Sequence, residues 1–65
     1  MVRFLEELGF QVIRARGSHV RMAHPDGRVT TVPIHARKDL PIGTLHSILR
    51  DIAMDRDLFV RQWNS

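Results

Sequence analysis

Apolar residues along the chain recur first at helical spacing, then at strand spacing, and finally at helical spacing again. Val2, Leu5 and Leu8 recur every three residues, which predicts a short helix over residues 1–8 with Gly9 as its C-cap residue. This helix has two turns and no N-cap residue precedes it, so we expect it to be the second half of a longer helix.

Three strands are predicted next, over residues 10–16, 19–24 and 28–32. Gly17-Ser18 joins the first two strands, and residues 25–28 form the second turn. We expect Pro33 to end the third strand, because proline cannot donate a hydrogen bond to a ladder. Alternation along the second strand places its residues on two faces, Val20, Met22 and His24 on the core face and His19, Arg21 and Ala23 on the open face.

The last third of the chain returns to helical spacing. A helix over residues 41–53 is predicted from one apolar stripe, which consists of Ile42, Leu45, Ile48, Leu49 and Ile52. Asp55 is a good N-cap for a final short helix that ends near Trp63. The order α-β-β-β-α-α predicts a single α+β domain over residues 1–65, with a three-stranded antiparallel sheet and helices on one face.

Positive charge is concentrated in the middle of the chain. The net charge is +3, and residues 11–38 carry +5 whereas residues 39–65 carry −1. This distribution is typical of a protein that binds a polyanion. A solvated, arginine-rich surface is the alternative, but a bias in residue usage alone would spread arginine evenly.

Composition excludes several other classes of protein. The chain has no cysteine, so disulfides and thiolate metal sites are excluded. Residues 1–8 lack the apolar region of a signal peptide, and no run of about 18 apolar residues is present. We therefore expect a cytoplasmic protein without a membrane segment, and so small a domain gains stability from a partner.

His19 is the strongest candidate for chemistry, because imidazole exchanges a proton near neutral pH and arginines surround it in sequence. The simpler alternative is an ordinary exposed residue beside a hairpin turn. Ser18 is a weak nucleophile candidate, since no carboxylate follows that could orient the histidine. His24 is expected to make a turn hydrogen bond and His46 to face solvent. No two histidines have the i, i+4 spacing of a helical metal site, so we expect no metal.

An ordered series of short motifs between residues 5 and 52 resembles the HicA family of mRNA interferase toxins. The motifs are Gly9-Phe10, Arg16-Gly17-Ser18-His19, His24-Pro25-Asp26-Gly27, Val32-Pro33-Ile34-His35, Lys38-Asp39-Leu40 and Gly43-Thr44-Leu45-His46-Ser47-Ile48-Leu49. Met22 stands where the family more often has an aromatic residue, and Pro41 and His46 stand where Lys or Arg is common. Residues 55–65 match no motif.

The resemblance implies a fold like that of a double-stranded-RNA-binding domain and the toxin of a type II toxin–antitoxin system. It implies a metal-independent endoribonuclease that degrades mRNA, with His19 as its single catalytic residue and no cofactor. It also implies a HicB-like antitoxin that covers His19 in a hetero-oligomer.

Elementary chemistry agrees with this function, because the RNA 2′-hydroxyl can be the nucleophile and histidine can take its proton. Attack by water stays open, and the second proton-transfer group is either His35 or water. The residues expected to contact RNA are Arg14, Arg16, Ser18, Arg21, Arg28, His35 and Lys38. Two alternatives are a non-catalytic RNA-binding domain of the same fold and an interaction module that binds through residues 58–63.

Overall fold

The computed structural model describes residues 1–34 and 40–64, and its elements follow the predicted order. They are α1 (Val2–Glu7), β1 (Gln11–Arg16), β2 (His19–Ala23), β3 (Val29–Pro33), α2 (Ile42–Asp51) and α3 (Arg56–Trp63). The strands form one antiparallel sheet in the order β1-β2-β3. This confirms the predicted α+β fold of the double-stranded-RNA-binding type.

The core lies between one face of the sheet and the helices. Every element except β1 contributes to it, and its buried apolar side chains are Leu5, Phe10, Met22, Val32, Ile48, Leu49, Ile52 and Phe59. Met22 lies opposite Thr30 in the register, and the Thr30 hydroxyl donates to Asp51 Oδ2 of α2 at 2.9 Å. The face of β2 that carries Met22 is therefore the helix-covered face, as its apolar pattern predicts.

Helix α1 ends in a Schellman motif. The N–H of Phe10 donates to the carbonyl of Leu5, and the N–H of Gly9 donates to the carbonyl of Glu6, both at 3.0 Å. Gly9 has φ +103°, which favours glycine, and a Cβ there would lie 2.9 Å from His24 Nε2. The motif turns the chain so that Leu5 and Phe10 both enter the core, which anchors a helix of only six residues.

Helix α2 ends in the same motif with a less favourable residue. The N–H of Met54 donates to the carbonyl of Leu49, and the N–H of Ala53 donates to the carbonyl of Arg50. Ala53 occupies the left-handed position at φ 57°. Because a side chain is strained there, the C-terminus of α2 depends on the packing around it.

Helix α3 packs on α1 through aromatic rings. The ring of Phe4 lies 5.3 Å from that of Phe59 and 5.4 Å from that of Trp63, measured between centroids. Phe59 is buried and Trp63 is half exposed. These contacts show that the two aromatic residues of α3 pack against α1.

Two expectations about element boundaries and one about burial need correction. Phe10 lies before β1 because the Schellman motif uses its N–H. Pro33 is the last residue of β3 and does not stop the strand before it. Ile42 is 67% exposed, because it lies in the first turn of α2 at the margin of the apolar stripe.

We predict opposite effects for the same substitution at two glycines. Gly9→Ala should lower the free energy of unfolding by about 1–3 kcal/mol, because of its positive φ and the contact with His24. Gly43→Ala, in the first turn of α2 with open space around it, should raise that free energy by up to about 1 kcal/mol. Urea denaturation measures both values, and equal effects would contradict the C-cap assignment.

Candidate functional site

A two-residue turn positions the candidate site. Gly17 and Ser18 connect β1 to β2, and the closing pair of the hairpin is Arg16 opposite His19. Gly17 has φ 58°, whereas Ser18 does not have a positive φ, so the turn has the type II′ pattern with glycine first. Such a turn matches the twist of the strands, and it fixes His19 as the first residue of β2.

The neighbouring hydrogen bonds of the sheet determine to which strand the backbone of His19 bonds. The N–H of Ile34 donates to the carbonyl of Ser18, so the even-numbered residues of β2 bond to β3. His19 therefore bonds to β1 through Arg16, and its partner Pro33 on β3 lies in a non-hydrogen-bonded pair. The missing N–H of Pro33 costs the ladder nothing, which explains why proline is tolerated in β3.

The open face of the sheet collects four basic side chains, which we call the basic face: Arg14, Arg16, His19 and Arg21. Arg14 lies opposite Arg21 and Arg16 lies opposite His19, and all four are exposed. Directly opposed residues have Cβ atoms about 5 Å apart on the same side of a sheet. The register thus gathers three guanidinium groups around one imidazole.

The basic face is unneutralised in the part of the chain that the structure describes. No carboxylate of residues 1–34 or 40–64 forms an ion pair with Arg14, Arg16 or Arg21. Arg21 Nη1 lies 3.4 Å from Thr31 Oγ1 across the strand pair, which orients its side chain along the sheet. His19 has no hydrogen-bond partner among these residues, so its ring is free to contact a ligand.

Arg28 does not join the basic face, contrary to the expected grouping. It is half-buried on the helix-covered side, where Nη1 donates to the carbonyl of Ile52 and Cζ lies 5.2 Å from the ring centroid of Phe10. The Arg28 Nε also donates to Asp26 Oδ2 at 2.8 Å. The turn that carries Arg28 lies at the far end of β2, about 16 Å from His19 at the usual rise per residue.

The same turn holds His24, and its predicted hydrogen bond is confirmed. The N–H of Asp26 donates to His24 Nδ1 at 3.1 Å, and the N–H of Arg28 donates to Asp26 Oδ1 at the same distance. The N–H and the positive charge of Arg28 hold the pKa of the Asp26 carboxyl below its usual value. These contacts hold the turn together and assign His24 a structural role.

The remaining predicted site residues have varied positions. Ser18 is exposed in the turn beside His19, and His46 is exposed on α2. His35 and Lys38 lie outside the described residues. Among the described residues, no three side chains of the His, Asp and Glu types are grouped to hold a metal ion.

Sequence reasoning overlooked Thr31, which approaches Arg21 from β3. The signal was available, because Thr31 alternates with the buried Thr30 and Val32 and must face the open side. Its hydroxyl is the only polar side chain that β3 adds to this face within the described residues.

Comparison with known proteins identifies the family. The family described as HicA toxin of bacterial toxin-antitoxin matches residues 1–54, which include α1, the whole sheet and α2. The chain belongs to the HicA toxin family. It is therefore the toxin of a toxin–antitoxin system, for which the family implies a partner antitoxin. A search of curated proteins finds no match to the toxin.

The family match covers the sheet and the first two helices of the HicA toxin. The matched range ends before α3, so the family match does not include that helix. Over the described residues of this toxin, no helix has the length and apolar character to cross a membrane. The basic face lies wholly within the matched range.

We predict that Arg28 and Arg14 differ in what they contribute to stability. Arg28→Ala removes hydrogen bonds to Asp26 and Ile52 and should lower the free energy of unfolding by about 1–3 kcal/mol. Arg14→Ala, the control on the exposed edge strand, should change it by less than about 0.5 kcal/mol. Thermal or urea denaturation provides the comparison, and an Arg28→Ala protein as stable as the parent would contradict the structural role.

Proposed function

We propose that this toxin is a metal-independent endoribonuclease that cleaves mRNA in the cytoplasm, with His19 as its catalytic residue. The observation that carries the proposal is the register of β1 and β2, which places Arg16 directly opposite His19 and Arg21 beside them. A group that exchanges protons and groups that bind phosphate thus share one exposed face. Membership of the HicA family supports the function of a toxin, and the basic face supports RNA as the target of that toxin.

The proposed chemistry uses a nucleophile that RNA itself supplies. His19 takes the proton of a 2′-hydroxyl, whose oxygen attacks the adjacent phosphorus, and the bond from phosphorus to the 5′-oxygen breaks. The products are a 2′,3′-cyclic phosphate and a 5′-hydroxyl, which receives a proton from water or from a second group. Arg16 and Arg21 stabilise the negative charge that develops on the phosphate oxygens.

The nucleophile can be tested separately from the histidine. A substrate with a single 2′-deoxy nucleotide at the cleavage site resists cleavage when the 2′-hydroxyl attacks, but is cleaved when water attacks. Incubation in EDTA tests metal independence. A mobility shift of RNA without cleavage under all conditions would support the alternative, a non-catalytic RNA-binding domain.

The proposed site includes further contacts to RNA and a surface for the antitoxin. Arg14 and Ser18 flank the pair of Arg16 and His19 and extend the phosphate-binding surface along the hairpin. His35 and Lys38 stay proposed RNA contacts from outside the described residues. A HicB-like antitoxin is proposed to cover His19 with an acidic surface, since the described carboxylates leave the basic face unneutralised.

We predict that His19→Ala abolishes RNA cleavage while the fold is retained. The ring is exposed and makes no hydrogen bond to the described residues, so its removal should leave the melting temperature unchanged. Loss of proton transfer should reduce the cleavage rate by about 10²- to 10⁴-fold. His46→Ala is the matched control, because it removes an exposed histidine on α2 and should keep full activity. Full activity of folded His19→Ala would overturn the catalytic assignment.

We predict that Arg16→Ala and Arg21→Ala weaken RNA binding to a similar degree for unrelated sequences. Each removes one phosphate contact, so the slope of log affinity against log salt should fall by about 0.7–1. Arg61→Ala on α3 is the control and should leave the slope unchanged. Fluorescence anisotropy with two unrelated RNAs measures these slopes, and a loss confined to one sequence would show that the arginine contacts bases.

A further inference from the structure

The outer edge of β1 is a free strand edge next to the basic face. Strand β1 pairs only with β2 in the described structure, and all six of its residues are exposed. Because Arg14 and Arg16 bond inward to β2, Ala15 directs its N–H and carbonyl outward, and so does Val12. These backbone groups are available to pair with another strand.

The other edge of the sheet is less suited to pairing. The outward residues of β3 include Pro33, which has no N–H to offer. The missing N–H lies at the end of β3 next to His19, because Pro33 is the partner of His19 in the register. A strand that approaches the sheet near His19 can therefore form a complete set of backbone hydrogen bonds only on β1.

The side chains of β1 specify what such a strand must carry. Val12 is 45% exposed and lies, like Ala15, on the helix-covered side of the edge. Arg14 and Arg16 project from the same strand to the basic face. A complementary strand therefore alternates apolar residues, which cover Val12 and Ala15, with acidic residues, which lie opposite the two arginines.

A second copy of this chain does not meet these requirements. Antiparallel pairing of β1 with itself would place the arginines of one copy near those of the other, on the same face and without carboxylates between them. Like charges at opposed positions destabilise a strand pair.

We propose that β1 accepts, as a fourth antiparallel strand, an extended segment of a protein partner in which acidic and apolar residues alternate. The inference rests on the proposed function in taking the antitoxin as the chain that supplies this segment, and it does not depend on RNA cleavage. The acidic residue opposite Arg16 would lie two strands from His19, with Arg16 of β1 between them. A segment bound at the outer edge of β1 would thus neutralise positive charge of the adjacent basic face.

The test uses the full chain and a synthetic eight-residue peptide that alternates valine and glutamate. Binding is measured by titration calorimetry, and amide hydrogen exchange is followed by NMR. Pairing should slow exchange at Ala15, whose N–H points outward, and leave Arg14 and Arg16 unchanged, since their N–H groups already bond to β2. A peptide that alternates valine and lysine is the charge control and should not bind.

Backbone methylation tests the orientation of the strand. In the antiparallel arrangement the valines opposite Ala15 direct their N–H groups to β1, whereas the glutamates direct theirs away. N-methylation of the valines should therefore abolish binding, and N-methylation of the glutamates should preserve it. Equal tolerance of both modified peptides would overturn the proposal, as would the absence of binding by the parent peptide.

A variant of the chain provides the matching test. Ala15→Pro removes one outward N–H without removing a bond to β2, and should weaken binding of the valine–glutamate peptide by about tenfold or more. Ala15→Thr is the control and should bind as the parent does, and circular dichroism verifies both folds. Unchanged binding to folded Ala15→Pro would refute the edge site. Cleavage of RNA, measured on the same proteins, reports on the proposed nuclease alone.

Discussion

The pairing of β1 with β2 is the constraint on which the rest of the structure depends. The two-residue turn at Gly17 and Ser18 fixes which residues are opposed, and antiparallel alternation then assigns each side chain to a face. Met22 reaches the core and Arg21 reaches the open face for the same reason. A shift of one residue in β1 would turn Arg14 and Arg16 to the helix-covered side and would destroy the basic face.

The elements of this fold could be predicted because each has a strong local pattern, whereas their ends depend on tertiary contacts. The end of α1 could be predicted from Gly9, because a helix C-cap requires a positive φ and glycine adopts it most readily. The inclusion of Pro33 in β3 could not be predicted, since it depends on which residues of β2 bond to which neighbour. Exposure of Ile42 likewise depends on what packs over the first turn of α2.

In the candidate site too, local sequence determines the position of some residues, and tertiary contacts determine the position of others. The grouping of Arg14 and Arg16 with His19 follows from strand alternation and the length of the turn, both of which are visible in the sequence. The position of Arg28 does not, because its partners Phe10 and Ile52 come from other elements. A count of positive charge in a stretch of sequence therefore overestimates the charge that one surface presents.

The aromatic contact between α1 and α3 has a consequence for how the chain acquires its structure. Phe4 belongs to the first element and Phe59 to the last, so this contact closes a loop that contains the entire sheet. Contacts between residues far apart in sequence form slowly, because closing a long loop costs conformational entropy. During synthesis, α1 emerges long before its aromatic partner exists. Completion of the helical layer thus requires α3, the element that is synthesised last.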